Sequence, residues 1–559
     1  MTQSKFFDRS FLVGLICLQA LMASAFYFRE IAWYPPPHWD QTHFLEQAYD
    51  LEERVLTHGP LELVKALWAK NGHEYARGLL LPIEGAFSGI VFGGTRFPQL
   101  LVNFIFFVGL QLFAFNAGKT TFGSRTFGYL LLGLILCEAS PWYWSGGLFD
   151  FRQDFSAYCL YGVWACAVLR SGTFAERRWS IAAGAIAGVL VLQRYLTIVY
   201  LIAVLFSLMA LLIVLSLLWR AKSDLARPIR RRLGNVSLSI LVLLLFSLPF
   251  LIRNRRGLRD YYVGGHVLSG EKTVRATESG VRSLGDHLLF YPRSLIFDHL
   301  GPAFGWATLG TIVLALLAFV ALRLDKRCGN NSVQGNAPSF GLGFLLLTIL
   351  LPMAVLTLDT SKSPCVVNIV GVPVALLVVC LASVFFSRLA HPWKPRLIGL
   401  VAIVVILFGL YNETYFLTVH LPDYPQWEDF KRFGELDKWL ATYAISRGWR
   451  EPKISFDGFF DLLQAGAIST TAYEQTGELI KFDRKLGADI MSISRDRVFE
   501  LLADSDMVVL TTKPKKGVFP FWESIRQVWP EMKSWCDLKM DVAKTETFSD
   551  FTATVYVRR

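Results

Sequence analysis

The chain has 559 residues, of which 53% are hydrophobic and 18% are charged, and its mean hydropathy is +0.40. Soluble domains carry about 25% charged residues, so this composition excludes an ordinary soluble protein. The formal net charge is +11, and the 8 cysteines contain no Cys-x-x-Cys pair. The cysteine spacing therefore indicates neither a disulfide framework nor a zinc site.

Apolar segments of membrane-spanning length recur through the first three quarters of the sequence. A helix needs about 20 apolar residues to cross a bilayer, and helices satisfy every backbone hydrogen bond within it. We therefore predict an α-helical polytopic membrane protein with about eleven transmembrane helices. The predicted spans are 11–31, 98–116, 126–143, 155–170, 178–193, 196–219, 235–252, 302–322, 340–358, 366–387 and 397–417. The triplet Ala23-Ser24-Ala25 leaves a cleaved signal peptide as an alternative for the first of them.

The short connections orient these spans, because loops rich in Lys and Arg stay in the cytoplasm. With the N-terminus inside, every inside connection carries basic residues. They are Lys119, Arg125, Arg170, Arg177, Arg178, Arg220, Lys222, Arg227, Arg230, Arg231, Arg232, Arg323, Lys326, Arg327, Arg388, Lys394 and Arg396. An odd number of spans then places the loops 32–97 and 253–300, and the chain after 418, on the outer side.

The predicted outer loop 253–300 is itself basic, which conflicts with this rule. It contains "RNRRGLRDYYVGGHVLSGEKTVR", with Arg253, Tyr261 and Tyr262 near its start. Either the orientation is wrong there or the cations serve a binding site, and we favour the second interpretation. The aromatic and glycine content is that of a mobile sugar-binding lid, and a contact with lipid headgroups is the alternative.

The composition changes near residue 420. From Leu421 onward, 20 Lys and Arg stand against 22 Asp and Glu, so the excess positive charge lies in the membrane part. Strand patterns occur in "KISFDG", "DMVVLTT" and "FTATVYVRR", and helix patterns in "SRDRVFELLADS" and "FWESIRQVWPEMKSW". We predict a transmembrane domain at 1–419 and a soluble, extracytoplasmic α/β domain at 420–559.

The first outer loop begins with "PPPHWDQTHFLEQAYDL", in which Asp40 comes a dozen residues after the apolar run Phe11–Phe28. An amphipathic helix on the membrane surface, from Gln41 to Lys70, accounts for most of the acidic residues as groups facing water. Asp40 precedes that helix at the N-cap position, so a capping role is its plain structural explanation.

Other charged residues occur at the predicted outer ends of the spans. Asp150, Arg152 and Asp154 lie in "GLFDFRQDFSAY", and a solvated turn is the alternative to a site there. Arg194 is isolated among apolar residues in "VLQRYLTIVYL", and Lys362 lies in "LTLDTSKSPCVVNIVGVPV". A charge at the bilayer centre costs about 2.5 to 3.5 kcal/mol, so an isolated Arg of this kind is a functional candidate.

Together these residues give carboxylates and cations at one membrane boundary. That combination suits transfer of a sugar from a polyprenyl phosphate. Cations stabilise the departing phosphate, and a carboxylate removes the proton of the attacking hydroxyl.

The order of these features resembles the GT-C glycosyltransferases, in particular the bacterial dolichyl-phosphate-mannose-protein mannosyltransferase-like and aminoarabinose-transferase-like branch. In that family the first loop reads Asp-Glu followed by Tyr and Leu, and "WDQTHFLEQA" is similar but has Gln41 in place of Glu. "LPIEGAFSGIVFGGTRFPQLLVN" is similar to the family's Pro-Leu-Tyr…Phe-Gly…Arg stretch. "LQRYLTIVYL" resembles its Leu-Thr-Lys segment with Arg194 at Lys. "SKSPCVVNIVGVPV" resembles its Ser-Lys-x-x-Arg-Tyr…Pro stretch with Cys365 at Arg.

The resemblance implies roles for individual residues. Asp40 would be the general base, with Asp154 as its catalytic partner and Asp150 beside it. Arg194 and Lys362 would hold the lipid phosphate. The remaining substrate-binding candidates are His43, Arg152, Arg253, Tyr261 and Tyr262. No cofactor is required, although a divalent cation on Asp40, His43 and Asp154 stays open.

We therefore expect a glycosyltransferase of the bacterial inner membrane, with its active site on the periplasmic side. Its partners would be a polyprenyl-phosphate-linked sugar donor, membrane lipid and a glycan, lipid or protein acceptor, with no nucleic acid. The alternatives are a transporter or flippase of a lipid-linked glycan and a catalytically inactive, glycan-sensing scaffold. The charges at one face favour the enzyme over a transporter, which would carry ionisable residues at mid-span.

Overall fold

The architecture comes from a computed structural model that describes most of the chain. The described residues are 2–32, 39–68, 77–143, 145–219, 223–302, 304–313, 337–359, 361–388, 394–418, 427–457, 464–487, 490–512 and 519–559.

The part of the chain before residue 419 is helical. Its helices are α1 (Thr2–Phe26), α2 (Trp39–His58), α3 (Leu61–Trp68), α4 (Leu80–Phe92), α5 (Phe97–Thr121), α6 (Arg125–Cys137), α7 (Gln153–Arg170), α8 (Arg177–Gln193), α9 (Thr197–Leu218), α10 (Ser223–Arg253), α11 (Arg255–Leu258), α12 (Glu271–Glu278), α13 (Leu284–Ser294), α14 (Phe304–Val313), α15 (Ala337–Leu358), α16 (Gly371–Arg388) and α17 (Lys394–Thr418). Wider helical turns form Tyr27–Ile31, Arg259–Leu268 and Leu295–His299, and tighter ones form Ser140–Trp142 and Pro364–Val370.

Among the described residues, seven helices are long and apolar enough to cross a membrane. They are Phe7–Ile31, Phe97–Thr121, Thr197–Leu218, Arg227–Arg253, Phe340–Leu358, Pro364–Phe386 and Arg396–Thr418. Each falls on a predicted span, so the polytopic membrane fold is confirmed. The predicted spans 126–143, 155–170 and 178–193 coincide with α6, α7 and α8, which are shorter or more polar. Of the predicted span 302–322, α14 covers 304–313, and residues 314–322 lie outside the described part of the chain. Helix α4 was not predicted, and its 13 residues are too few to cross a bilayer.

The membrane helices share one apolar core. Helix α5 packs against α6 and α7, α8 against α10, and α17 against α6. Large side chains such as Phe107, Tyr158 and Trp164 fill the space between them and are fully buried. Consecutive helices run antiparallel, so the start of α7 and the end of α8 lie at the same end of the bundle, where the charged residues are found.

The first outer loop differs from the single amphipathic helix that the sequence predicted. The helix is interrupted at Gly59-Pro60, where Gly59 has a φ of 93°. Two helices, α2 and α3, therefore form on either side of this turn. Asp40 lies in the first turn of α2, which already includes Trp39, so the predicted N-cap position is wrong. The expectation that the acidic residues face water is also wrong for Glu52, which is buried.

The C-terminal part of the chain is an α/β unit built on a five-stranded sheet. Its helices are α18 (Trp427–Ser446), α19 (Ala465–Thr476), α20 (Arg495–Ala503) and α21 (Pro520–Lys539), and its strands are β1 (Lys453–Phe456), β2 (Asp483–Leu486), β3 (Met507–Thr511), β4 (Met540–Thr547) and β5 (Thr552–Arg558). The strand order is β2-β1-β3-β5-β4. Strand β1 runs parallel to β2 and β3, while β5 runs antiparallel to β3 and β4. The five predicted elements are confirmed, and α18, α19, β2 and β4 were missed.

Helices cover both faces of this sheet. Successive side chains of a strand point to opposite faces, so alternate residues of one strand pack on different helices. Met507 and Val509 of β3 pack with α18 and α19, while Val508 and Leu510 pack with α20 and α21. Helix α19 also packs on α2 of the first loop. The α18–α19 layer is thus the side of the unit that meets the membrane part.

Candidate functional site

Arg152 is the centre of a connected group of charged side chains. Its Nη2 lies 2.8 Å from Oδ2 of Asp40, and its Nε lies 3.4 Å from Oδ2 of Asp154 and 3.7 Å from Oδ2 of Asp150. Asp40 also pairs with Arg77, and Asp154 pairs with Arg194. We call Asp40, Arg77, Asp150, Arg152, Asp154 and Arg194 the Arg152 cluster.

The connection between α6 and α7 holds Arg152 in place. Asn103 of α5 donates from Nδ2 to the carbonyl oxygens of Leu148 and Asp150, at 3.2 and 2.8 Å. The Asp150 carboxylate accepts a hydrogen bond of 2.7 Å from the backbone N–H of Gly146. Arg152 itself donates to Oγ of Ser145 at 2.9 Å. These bonds fix the loop, so Arg152 is presented by rigid backbone.

Arg77 and Arg194 are brought together by backbone pairing. The Arg77 carbonyl accepts a hydrogen bond from the N–H of Tyr195, and the N–H of Leu79 donates to the carbonyl of Leu192. A side chain at Gly78 would place its Cβ 2.1 Å from the carbonyl oxygen of Gln193, so only glycine fits there. The segment before α4 therefore runs directly beside the break between α8 and α9.

The Arg152 cluster is open on one side. Asp150 and Asp154 are buried, whereas the Asp40 and Arg77 side chains are 30% and 33% exposed. A ligand that reaches the cluster therefore meets Asp40 and Arg77 first. With three guanidinium groups and three carboxylates, the site is close to neutral before any ligand binds.

Two of the three carboxylates beside Arg152, those of Asp40 and Asp150, have pKa values shifted in opposite directions. Burial alone would raise the pKa of Asp40, but Arg152 and Arg77 outweigh it and hold that pKa well below its usual range. Burial raises the pKa of Asp150 to about 7, against the opposing effects of Arg152 and the Gly146 N–H. Asp40 is consequently ionised at neutral pH, while Asp150 is near its titration midpoint.

The segment 253–300 lies against this cluster as a series of helical turns. Arg77 lies over the ring of Tyr261 at 5.3 Å, and Tyr261 packs edge-on against Tyr262. Burial raises the pKa of Tyr262, and Arg194 and Arg77 are near enough to lower it in part. The two tyrosines thus form a wall beside the open side of the cluster.

Lys362 makes no described ion pair with the Arg152 cluster, although Arg152 contacts Cys365, three residues further along the chain, at 3.5 Å. Its Nζ donates to the carbonyl oxygens of Leu356, Thr357 and Asp359, at the C-terminal end of α15, and lies 4.9 Å from the ring centre of Tyr291. Burial lowers its pKa to about 8, although Asp359 opposes that shift. The lysine thus caps the end of α15, and its expected role of holding the lipid phosphate together with Arg194 stays a prediction.

The remaining predicted residues differ in their places. His43 lies on α2 next to Asp40 and bonds Gln47 at 2.7 Å. Arg253 is exposed at the end of α10 and makes no described contact with the Arg152 cluster. Arg77 was missed, although its position as a basic residue directly before an apolar segment could have indicated it.

A metal site on Asp40, His43 and Asp154 does not fit this geometry. Guanidinium groups of Arg77, Arg152 and Arg194 already contact both carboxylates. Within the described ranges, no group of three His, Cys, Asp or Glu side chains is arranged to hold a metal ion. Cations of the protein itself thus occupy the place that a metal would need.

Solved structures resemble the whole chain. The crystal structure of ArnT from Cupriavidus metallidurans, an aminoarabinose transferase bound to undecaprenyl phosphate, superposes with a TM-score of 0.52 at 14% sequence identity. That match covers 97% of this chain and 98% of ArnT. The chain has the GT-C fold.

Further GT-C structures align less closely. The structure of ArnT in the apo state has a TM-score of 0.49 at 14% identity, and the match covers 97% of this chain and 98% of the ArnT chain. The oligosaccharyltransferase AglB from Archaeoglobus fulgidus, in complex with an inhibitory peptide and a dolichol-phosphate, has a TM-score of 0.49 at 10% identity. It covers 90% of this chain and 70% of that chain. No protein-family model and no curated protein matches the sequence.

Within this GT-C fold, the Arg152 cluster joins four separate pieces of chain. They are the start of α2, the segment before α4, the connection into α7 and the break between α8 and α9. Such convergence of distant segments at one end of a helical bundle is typical of a binding or catalytic site.

Proposed function

We propose that this protein is an integral membrane glycosyltransferase that moves a sugar from a polyprenyl-phosphate-linked donor to an acceptor. The contact of Arg152 with three carboxylates, beside Arg77 and Arg194, is the observation that carries the proposal. Guanidinium groups bind phosphate through charge-assisted hydrogen bonds. The GT-C fold, found in ArnT with undecaprenyl phosphate, supports a lipid-linked donor.

The donor phosphate competes with Asp40 for the guanidinium groups. In the structure Asp40 is held by Arg77 and Arg152, and a carboxylate with so low a pKa is a weak base. When a phosphate binds Arg77 and Arg152, Asp40 loses part of this stabilisation and its pKa rises. Donor binding thereby converts Asp40 from an ion-pair partner into a general base.

The transfer step then needs no further group. Asp40 removes the proton of the acceptor hydroxyl as its oxygen attacks the anomeric carbon from the side opposite the phosphate. The bond between that carbon and the phosphate oxygen breaks, and its electron pair leaves with the polyprenyl phosphate. Arg152 and Arg194 stabilise the added negative charge, and the configuration at the anomeric carbon inverts. Asp154 holds Arg152 and Arg194 in position.

The charge distribution supports a location for this site. Arg170 and Arg177 lie at the ends of α7 and α8 opposite the Arg152 cluster, and basic ends stay in the cytoplasm. We therefore propose an inner-membrane protein with the cluster on the periplasmic side. Residues 1–419 would form the transferase domain and residues 420–559 an extracytoplasmic domain.

The test uses the purified full-length chain in lipid nanodiscs. Polyprenyl-phosphate-linked sugars of several kinds are supplied with a membrane extract as the source of acceptor, and released polyprenyl phosphate is measured. We expect release by the parent protein and a loss of about 100-fold or more in Asp40→Asn, because a general base contributes 10²–10⁴-fold. Asp40→Asn should still bind polyprenyl phosphate. Equal release by the parent and Asp40→Asn would contradict the assigned base.

A flippase is the competing function, and the same preparation distinguishes it. A flippase moves the donor across the bilayer without breaking it, so no free polyprenyl phosphate would accumulate. The position of the Arg152 cluster at one end of the bundle, away from mid-span, favours the transferase.

A further inference from the structure

The C-terminal α/β unit packs closely on α2, the helix that carries Asp40. Helix α19 packs on α2, and a Cβ at Gly466 of α19 would lie 2.9 Å from Oγ1 of Thr42. Thr42 is two residues from Asp40, so α19 approaches α2 closely next to the proposed base. A larger residue at Gly466 would push the helices apart there.

A buried ion pair lies further along the same contact. Glu474 of α19 accepts hydrogen bonds from Nε and Nη2 of Arg96, at 3.0 and 2.7 Å. It also accepts one of 3.0 Å from the hydroxyl of Tyr49, which is on α2. Arg96 is 4% exposed and Tyr49 is fully buried. One carboxylate of the α/β unit therefore ties together α2 and the start of α5.

The rings and the backbone add to this tie. Tyr49 stacks on Tyr473 with ring centres 4.5 Å apart, and the backbone N–H of Arg96 donates to the Tyr49 hydroxyl at 2.9 Å. Lys481 pairs with Asp50, again on α2. The contacts with the α/β unit thus extend along about two and a half turns of α2, from Thr42 to Asp50.

The backbone of Arg96 points to a requirement for its side chain. Arg96 has a φ of 54°, a conformation that side chains disfavour and glycine adopts freely. Such strain persists only where the surroundings impose it, and it is concentrated at functional sites. A residue that served the turn alone would be better as glycine, so the guanidinium is the reason for an arginine here.

We infer that Glu474 is a positioning residue of the transferase site: through Arg96 and Tyr49 it fixes α2 so that Asp40 lies within reach of the donor and acceptor. This inference rests on the proposed function. According to this inference, the C-terminal unit is required for the geometry of the active site. Removal of the unit would leave α2 without the contacts that set its position.

The inference predicts which kinetic constant changes. Arg77, Arg152 and Arg194 are on other elements, so loosening α2 leaves the donor-binding groups in place while it displaces the base. A displacement of about 1 Å lowers a rate by up to about 100-fold. Since Asp40 also competes with the donor phosphate for Arg77 and Arg152, its displacement should not weaken donor binding. Loss of the Glu474 contact should therefore lower kcat without raising the KM for the donor.

The experiment compares four full-length variants in nanodiscs. Glu474→Gln keeps the shape and removes the charge, and Arg96→Gly removes the guanidinium while relieving the backbone. The double variant leaves no unpaired buried charge and so protects folding. Glu531→Gln is the matched control, because its pair with Arg495 lies on the α20–α21 layer, away from α2.

We expect kcat to fall about tenfold or more in both single variants and no further in the double variant, because the two residues act together. The KM for the donor should not rise by more than about twofold, and Glu531→Gln should match the parent. Unchanged kcat in folded Glu474→Gln, or a fall of the same size in Glu531→Gln, would overturn the inference.

Hydrogen exchange separates this inference from the proposed function, because it requires no turnover. Amides 41–50 of α2 should exchange faster in Glu474→Gln than in the parent and in Glu531→Gln. If the parent transfers no sugar but this difference is found, the function fails and the contact stands. Equal exchange in all variants would overturn the positioning role even in an active enzyme.

Discussion

Three carboxylates, those of Asp40, Asp150 and Asp154, share the positive charge of Arg152. Asp40 and Asp150 both contact Arg152, yet the pKa of Asp40 is depressed and that of Asp150 is raised. The difference arises because Asp40 has two arginine partners and partial exposure, whereas Asp150 is buried with a single, more distant one. The sequence predicted both acids as site residues but not the difference between their pKa values, since that difference depends on distances of a few ångströms.

Donor affinity should depend on pH through Asp150. Below about pH 7 this carboxyl is protonated and leaves the charge of Arg152 available to a phosphate; above that pH it ionises and offsets Arg152. We expect the donor KM to be about fivefold or more lower at pH 6 than at pH 8, because one opposing charge nearby is worth about 1 kcal/mol or more.

Asp150→Asn is the control for this dependence. It mimics the protonated form, so its KM should be low at both pH values. A parent KM that does not vary with pH, or the same variation in Asp150→Asn, would show that Asp150 is not the titrating group.

At the level of elements, the membrane spans and three of the five strands, β1, β3 and β5, followed from the sequence, while the other two strands and the first outer loop did not. The pattern of hydrophobic residues along a segment indicates which of its faces are buried, so α10, α21 and β3 could be predicted from the sequence. Helix α2 is buried by α4 and α19 on different sides, and its buried Gln41, Glu52 and Tyr49 gave no simple stripe. The segment expected to form a lid, 253–300, is a series of helices and helical turns, and the ring of its Tyr261 packs on Arg77.

The wide helical turn Arg259–Leu268 should contribute to donor binding through Tyr261. Its ring faces the guanidinium of Arg77, and such a cation–π contact is worth about 0.5 to 2 kcal/mol. Tyr261→Ala should raise the donor KM about two- to thirtyfold and leave kcat within about threefold.

Tyr261→Phe keeps the ring and should remain within about twofold of the parent in both constants. If Tyr261→Phe is as impaired as Tyr261→Ala, the hydroxyl group and not the ring face is what matters, and the cation–π explanation is wrong.

For the whole molecule, the sequence predicted a membrane part and a C-terminal α/β part, but not their mutual contact. Glu474 and Lys481 are ordinary surface residues by composition, and only the fold brings them to Tyr49 and Asp50. The boundary near residue 420 stays a prediction. The predicted orientation has a direct consequence, because the Arg152 cluster and the α/β unit must lie on the same side of the membrane.

Reporter fusions test that orientation. Alkaline phosphatase fused after Arg559 should be active, because it folds outside the cytoplasm, and green fluorescent protein fused there should stay dark. Fusions after Arg170, at the opposite end of α7, should give the reverse result. A fluorescent fusion at Arg559 would place the site in the cytoplasm and contradict the proposed topology.

The binding of polyprenyl phosphate to the Arg152 cluster is the most direct test of the central claim. Arg77 is the partly exposed guanidinium at the open side, so Arg77→Gln removes a ligand contact with little effect on folding. A hydrogen bond to a charged group is worth about 1.5 to 3 kcal/mol, so Arg77→Gln should bind undecaprenyl phosphate about 10- to 100-fold more weakly than the parent. Arg256→Gln, at an exposed arginine of α11, should bind it as the parent does. Equal affinity of all three proteins would contradict the account.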